Sequence, residues 1–532
     1  MSTFDRREFT RAAAALAAGA GLPATAQAQA PAPAAAAAAA KATGPAPVRG
    51  GVLKVAQCSA NRRTANAGNA RHPYFFVDLS TRVAYNCLTW VNEKLEWQYE
   101  LAREIAPTDE QVNVWDVSLR EGVLFHDGRE MVAEDVVASF EAHRTGAAFA
   151  SQIQKVEGLG RHKVRFHLKE GNAEFPYVLA EYQHAILQAD TPARIGLNGI
   201  GTGPFRFVSA DPNRSAIFER HEQYWRKGYP YLDRLEIHNR EGQQEAALNG
   251  LRARQFDAVL TIDARGVRQL QREADLEFSV GRGSYHFVIQ LPKHPGSPFE
   301  DKRVRQALAL AIDREAIVRI AYAGKYGWVG NDSHLVATDP NFLFRPARRD
   351  VVAARRLLAE AGYPNGITLP TLYFSPQLPE VPIYFQVLQQ TVKEAGITLP
   401  IEERPADGYA AFRTGDNDLA KGRFHKFAMT AVGSRNPGIS LNRMRGAFVE
   451  SGHWRGPEHD RYMDLYRRAM VTRDDTLRKR LYHEMQRILQ EEVPAILPAG
   501  GDSILVRRKH VRNLNYHPQI WSIRFDEVWR SA

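Results

Sequence analysis

The ten residues Gly199-Ile200-Gly201-Thr202-Gly203-Pro204-Phe205-Arg206-Phe207-Val208 constrain the path of this chain more than any other stretch. Glycine admits backbone angles closed to other residues, Pro204 fixes one angle, and Phe205-Arg206-Phe207 alternates as a strand does. A phosphate-cradling loop needs a different glycine spacing, a following Lys-Ser/Thr and a helix, none of which is present. The stretch is therefore read as a tight, reversing connection into a new strand.

With 532 residues, 44% of them apolar, the chain can bury several cores, and at roughly 100–200 residues per domain it should hold two to four. The formal charge is +10, but 70 Lys/Arg are offset by 60 Asp/Glu spread along the chain. There is no basic tail and no nucleic-acid motif, so nucleic-acid binding is not expected. No apolar run reaches the ~20 residues needed to span a bilayer, and the mature protein is expected to be soluble.

The N-terminus reads as an address. Asp5-Arg6-Arg7-Glu8-Phe9-Thr10-Arg11 precedes an uncharged run from Ala12 to Leu22, and small-residue exits follow at Ala26, Ala28 or Ala30. This resembles a twin-arginine (Tat) export signal over residues 1–30, with no cysteine at the exit to carry a lipid anchor. Residues 31–47 form an Ala/Pro linker. Only Cys58 and Cys87 occur. In an oxidising compartment they are able to pair, which sequence separation alone leaves open, and they lack the spacing of a zinc or thioredoxin-like site.

Along the mature chain, strand patterns alternate with helical ones. Val52–Ala56, Val112–Val117, Val164–Leu168, Ala216–Arg220, Leu235–His238 and Phe256–Leu260 read as strands. His126-Asp127-Gly128 reads as a hairpin turn rather than a catalytic pair, because adjacent strand residues face opposite ways. Val132, Val136, Val137 and Phe140 line one helical face, with Glu134 and Asp135 in its first turn. Pro176 to Ala185 reads as a short helix. Further helices are expected at Val304–Ile312, at Val351–Ala361 before Gly362, around Phe385–Ala395 before Gly396, at Tyr462–Ala469, and at Leu477–Ile488 before Pro494. This alternation implies an α/β architecture.

At this point the chain resembles family 5 of the bacterial extracellular solute-binding proteins, the peptide- and nickel-binding components of ABC importers. The resemblance is carried, in order, by Gly50-Gly51-Val52-Leu53-Lys54-Val55, by Leu119-Arg120-Glu121-Gly122-Val123-Leu124-Phe125-His126-Asp127-Gly128 and by Ala133-Glu134-Asp135-Val136-Val137-Ala138-Ser139-Phe140. It continues through Gly201-Thr202-Gly203-Pro204-Phe205, Tyr231-Leu232-Asp233, Val304-Arg305-Gln306-Ala307-Leu308 and Leu357-Leu358-Ala359-Glu360-Ala361-Gly362-Tyr363. It implies an α/β, periplasmic-binding-protein type II-like two-lobe clamp with an extra inserted domain in lobe one. Lobe one would take residues 48–86, 199–284 and 496–532, the insertion 87–198, and lobe two 285–495. The implied function is capture of a peptide-like or anionic solute between the lobes, in the periplasm, and delivery to an ABC permease in the inner membrane. A monomer without cofactor, exported by the Tat machinery, is expected.

Peptide binders of the family commonly carry an acidic residue in the lobe-two loop before the late helices, where it meets the peptide's amino group. Here that loop reads Ala431-Val432-Gly433-Ser434-Arg435-Asn436-Pro437-Gly438, and the acid is absent. From Leu419 to Val449 there are six basic residues, Lys421, Arg423, Lys426, Arg435, Arg443 and Arg445, and no Asp/Glu. An anionic ligand group held by Arg435, with Arg443 or Arg445 assisting, is one reading; solvated surface arginines are the other. Trp454 either packs on the ligand or packs in a core. The resemblance also points to Tyr74 and Phe75, with Phe76, in a cleft-facing loop, and to Tyr285 and His286 at the second crossover between lobes.

Enzyme motifs are missing: there is no Gly-x-Ser-x-Gly, no His-Glu-x-x-His and no nucleophilic cysteine context. The 17 histidines show no i, i+4 pair assignable to a metal site, so direct ligation is not expected. A metal-chelate (nickel or metallophore) binder of the same family, or an exported hydrolase, are the alternatives.

Overall fold

Twelve strands from both halves of the sequence join one mixed sheet. From one edge its order is Ile401–Glu403, Leu372–Phe374, Ala428–Gly433, Leu276–Gln290, Ala499–Arg508, Ala258–Ile262, Val52–Gln57, Arg234–Asn239, Ser215–Arg220 and Phe205–Asp211. Gly327–Val329 adds to Ala499–Arg508, and Ala495–Ile496 to Leu276–Gln290. In this computed structural model the described residues are 46–58, 82–144, 149–190, 195, 199–211, 214–240, 242–344, 348–406, 408–414, 425–445 and 452–531.

The two long strands at the middle of the order tie the halves together. Leu276 to Gly281 pair with Arg508 to Ser503, and the register then shifts so that Tyr285 meets Gly501 and His286 meets Gly500. Beyond the shift, the first strand pairs instead with Ala428–Gly433. The irregular Gly281-Arg282-Gly283-Ser284 corner is pinned by Asp502, whose carboxylate accepts from Gly283 N at 2.8 Å and from Arg282 Nη1 at 2.6 Å. Opposite it, glycine is required for space: a Cβ on Gly501 would stand 2.2 Å from the Tyr285 hydroxyl, and one on Gly500 2.2 Å from the Trp328 ring. Thin backbone at a strand crossing lets large rings lie directly on it.

A second, four-stranded sheet takes Ala102–Pro107, Val114–Leu119, Lys163–Leu168 and Ile153–Gly160 in that order. The Ala133–His143 helix packs on it, and Phe140, Phe166 and Phe175 form an aromatic run with ring centroids 4.9 and 5.3 Å apart. Each such pair adds about 0.5–1.5 kcal/mol beyond burial. Separate cores form around Leu53, Phe205 and Leu235, and around Phe287, Tyr384 and Leu388.

Local sequence sets the helix starts. Asp301, Asp313, Asp350 and Asp474 each accept a backbone N–H of the first turn, from Arg303, Ala316, Ala353 and Leu477 respectively, at 2.7 to 2.8 Å. Such caps are worth about 1 kcal/mol each. The expected helices appear as Lys302–Ala311, Val351–Glu360, Val381–Val392, Pro457–Val471 and Asp475–Glu492. The stretch read as one helix from Pro176 to Ala185 is instead a turn of helix, Phe175–Val178, followed by a 3-10 turn, Tyr182–His184. Glu181 interrupts it in extended conformation, because its side chain is drawn elsewhere.

The glycine connection leads into a strand, Phe205–Asp211. Its glycines lie against residues 83–85: a Cβ on Gly201 would sit 2.1 Å from Ala84 O, and one on Gly203 2.4 Å from Ala84 C. His126 braces the connection, with Nε2 3.1 Å from Gly203 O and Nδ1 accepting from Gly201 N. Burial pushes its imidazole down to about 3, so it stays neutral and structural.

Candidate ligand-binding cleft

Arg435 leaves the end of the Ala428–Gly433 strand just before the short Pro437–Asn442 helix. Its guanidinium is buried. Nε donates to both carboxylate oxygens of Glu181 at 3.1 and 3.2 Å, and Nη1 to Gly433 O at 3.3 Å. Its face lies 4.7 Å from the centroid of Trp521 and 5.8 Å from that of Phe149. Tyr182 packs on Trp521 with centroids 5.4 Å apart, and Gln519 Nε2 donates to Ser434 O at 3.1 Å. Three distant segments therefore meet here: residues 174–183, 433–438 and 519–521. The expectation of a cation free for an anion is corrected, since Glu181 already neutralises Arg435.

A second carboxylate from the same segment grips the same loop. Glu174 accepts from Gly438 N at 2.8 Å and from Asn436 Nδ2, with Arg478 Nε 3.6 Å away. Gly438 is needed because a Cβ there would stand 2.3 Å from Glu174 Oε2. Ala173 N donates to Met470 O at 2.6 Å, and Arg473 Nη2 to Asp109 O at 2.6 Å, so Asp109 and residues 173–181 are bonded to residues 434–478.

Of the other residues singled out from the sequence, Arg443 lies near His286 and so near Arg435, whereas Arg445 and Trp454 are engaged elsewhere. Arg445 is half-buried, 3.9 Å from Glu170, with its guanidinium over Tyr466 at 5.7 Å. Arg443 is half-buried, and its charge helps hold the neighbouring His286 and His334 neutral. Trp454 is only 2% exposed and packs with Tyr462 and His459 in a core shared with Leu441 and Tyr482. Of its two readings the core one holds, because the ring's area is already spent on protein. Tyr74, Phe75 and Phe76 lie outside the described residues.

Tyr285 and His286 are cross-strand neighbours of Gly433 and Val432, so they adjoin the strand that delivers Arg435. His286 Nε2 is 3.0 Å from His334 Nδ1, and burial pushes His286 down to about 3. Tyr285 donates its hydroxyl to Glu380, a buried carboxyl that burial pushes up to about 7. Cys58 and Cys87 are both buried free thiols, each pushed up to about 12 by burial, and neither is a nucleophile at neutral pH.

Close to Glu380 opens a cavity of about 350 Å³. Cys58, Gln244 and Arg265 line it from the sheet's Val52–Gln57 end; Leu378, Pro379 and Pro382 line it from the loop entering the Val381–Val392 helix. Its polar wall is rigid: Asp263 caps the Ala264–Leu270 helix, accepting from Gly266 N at 2.9 Å, and is bonded by Gln244 Nε2 at 2.9 Å and Arg265 Nε at 2.7 Å. Arg265 also reaches Pro379 O at 3.4 Å, spanning from one wall to the other. The Gln244–Arg252 and Val381–Val392 helices both begin at this cavity, so the positive ends of their dipoles lie beside it. Its size suits a small solute, at the lower end of the ~300–1,000 Å³ usual for ligand pockets. Sequence reading missed Glu174, Glu181, Arg265 and Glu380. No local pattern marks them, since each is defined by a partner far along the chain.

Among the described residues no group of three His, Cys, Asp or Glu could hold a metal ion, and no helix is long and apolar enough to cross a membrane. Residues 96–442 match the family model described as bacterial extracellular solute-binding proteins, family 5 middle. The glutathione-binding protein GsiB of Escherichia coli and that of Shigella flexneri are each 25% identical over 447 residues, covering 80% of this chain and 85% of theirs. Among solved structures, the periplasmic binding protein DppA from Helicobacter pylori in complex with the peptide STSA matches with a TM-score of 0.76 at 21% identity, covering 91% of this chain and 99% of that one. NikA from Staphylococcus aureus in complex with Ni(L-His)2 matches at 0.75 and 20%, covering 90% and 100%. These likenesses establish the two-lobe clamp fold.

Proposed function

The chain belongs to the family 5 bacterial extracellular solute-binding proteins, and on that premise we propose that it captures a small peptide-like solute between its lobes and hands it to an ABC permease in the inner membrane. The observation that carries this reading is the cavity of about 350 Å³, walled by residues 58, 244 and 265 on one side and 376–379 and 382 on the other. One wall is polar and fixed, the other proline-rich and apolar. That mixture suits a compact molecule with a hydrogen-bonding backbone and modest side chains. The relatives named for glutathione and for a bound peptide support the same class.

In this reading lobe one takes residues 48–86, 199–284 and 496–532, the insertion 87–198, and lobe two 285–495. Residues 1–30 direct Tat export to the periplasm and 31–47 tether the signal. In this reading closure pivots on the crossing strands, at the register shift of Gly281–Ser284 and the glycine pair Gly500-Gly501. The cleft captures its solute without transforming it. Mass spectrometry of small molecules released by denaturing the purified protein, followed by thermal-shift titration of whatever is found, tests the proposal. A peptide that raises the melting temperature and is recovered unchanged is the expected result; turnover, or stabilisation only by non-peptide solutes, would overturn it.

A further inference from the structure

We propose that Glu245 is the specificity-determining residue of the cavity: its carboxylate receives the protonated amino terminus of the solute, so that the site selects peptides with a free amine over analogues uncharged at that end. The inference rests on the peptide-like reading above and specifies which end of such a solute is read. Among the described residues that border the cavity of about 350 Å³, Glu245 and Arg265 alone carry a charge. Both are open to an arriving solute: Glu245 is exposed, and the Arg265 side chain is 65% exposed. The Cys58 thiol on the same wall is kept neutral by burial, which pushes it up to about 12. The two charges therefore face one shared space that solvent reaches.

These charges are not equivalent. Arg265 Nε donates to Asp263 at 2.7 Å, and that buried carboxylate offsets the guanidinium from close range. Glu245 is held differently: Gln269 Nε2 donates to both of its oxygens, at 3.0 and 3.1 Å, and among the described residues no cation pairs with it. An amide fixes the carboxylate without neutralising it. Gln269 stands one turn after Arg265 on the Ala264–Leu270 helix, so the carboxylate and the guanidinium share one wall, while Asp263 holds Arg265 to itself. Arg240, which acts electrostatically on Cys58, does not border the cavity; its guanidinium lies over the Phe256 ring at 5.2 Å and donates to Asn239 O at 2.6 Å. Glu245 lies in the first turn of the Gln244–Arg252 helix, whose positive end favours its ionised form. About half a charge at that end offsets the carboxylate only in part. Contact decides the rest, because Coulomb energy falls with distance. What the cavity offers in contact is an acceptor-only group with no cation of its own. A protonated amine brings the opposite charge and several donors; a carboxylate brings neither.

The test uses equilibrium dialysis of the purified protein at about pH 6.5, where a peptide amino terminus is protonated, against two pooled tripeptide libraries free of basic side chains. The pools are identical except that in one the terminal amine is replaced by a hydroxyl of similar size. The wild type should retain the amine pool about tenfold or more over the hydroxyl pool. Glu245→Gln, an exposed change of nearly constant shape, should bring the two within about threefold of each other, and Glu245→Lys should turn the preference to the hydroxyl pool. A wild type that retains both pools equally, or an amine preference that survives either substitution, would overturn the assignment while leaving the peptide reading intact. Retention of neither pool by the wild type would remove the peptide reading itself, and this assignment with it.

Discussion

Glu181 and Glu380 are both almost fully buried, at 3% and 5% exposure, yet their surroundings treat them differently. Glu181 faces the guanidinium of Arg435, delivered from 254 residues away. Glu380 has the hydroxyl of Tyr285 as its bonding partner, and burial pushes it up to about 7. The first carboxylate belongs to a closed electrostatic unit whose loss leaves a bare charge. The second is a group whose ionisation opposes folding. Burial alone therefore does not assign a role to an acid: what decides is whether an opposite charge was buried with it.

The sharpest way to break this comparison is Arg435→Ala, which strands Glu181 without its partner. A destabilisation of about 3–5 kcal/mol is expected in denaturant unfolding; a loss below about 1 kcal/mol would show that the pair behaves as an exposed one.

Glu380→Gln should act in the opposite direction and depend on pH. The carboxyl titrates near its ordinary 4.5 when unfolded and at about 7 when folded. Below 4.5 it is protonated in both states and the substitution should change little. From there up to about 7 the unfolded state ionises first, so the parent loses stability relative to the variant; above about 7 the gap stays constant. At 1.36 kcal/mol per pH unit the variant's advantage reaches at most about 3 kcal/mol, read from thermal or denaturant melts between about pH 4 and 8. An advantage independent of pH would contradict the burial argument.

Gly438→Ala places a methyl group against Glu174 and should cost about 1–3 kcal/mol. Unlike Glu380→Gln, it should also loosen the contact between residues 174–183 and 433–438, seen as faster amide exchange at residues 434–438. The smallest effect is expected for Arg445→Ala: its pair with Glu170 is 3.9 Å apart and 33% and 59% exposed, so the unfolding free energy should fall by less than about 1 kcal/mol. A larger loss would show that the Arg445–Glu170 pair helps hold the two segments together.

Much of the architecture was legible before the structure. The alternation of strand and helix patterns, the aspartate caps and the glycine connection after residue 198 are local features, set within a few residues by backbone sterics and hydrogen bonding. The ordered fragments from Gly50 to Tyr363 carried the family resemblance, and the match over residues 96–442 agrees with it. The Pro176–Ala185 stretch failed as a single helix because Glu181 is pulled out toward Arg435, a tertiary demand that overrides helical propensity.

The candidate site was legible only in part. Sequence placed Arg435 in a basic loop and Tyr285 and His286 at a crossover, and all three adjoin one another through the Ala428–Gly433 strand. Two things depend only on which distant residues folding brings alongside: that Glu181 cancels the charge of Arg435, and that Trp454 belongs to a core with Tyr462. Composition counts charges along the chain, where six basic residues from Leu419 to Val449 look like an anion site. Electrostatics counts them in space, where a carboxylate about 3 Å from the guanidinium outweighs anything nearby in sequence. The sequence by itself determined the elements and the family; tertiary structure alone decided which charges remain for a ligand to meet.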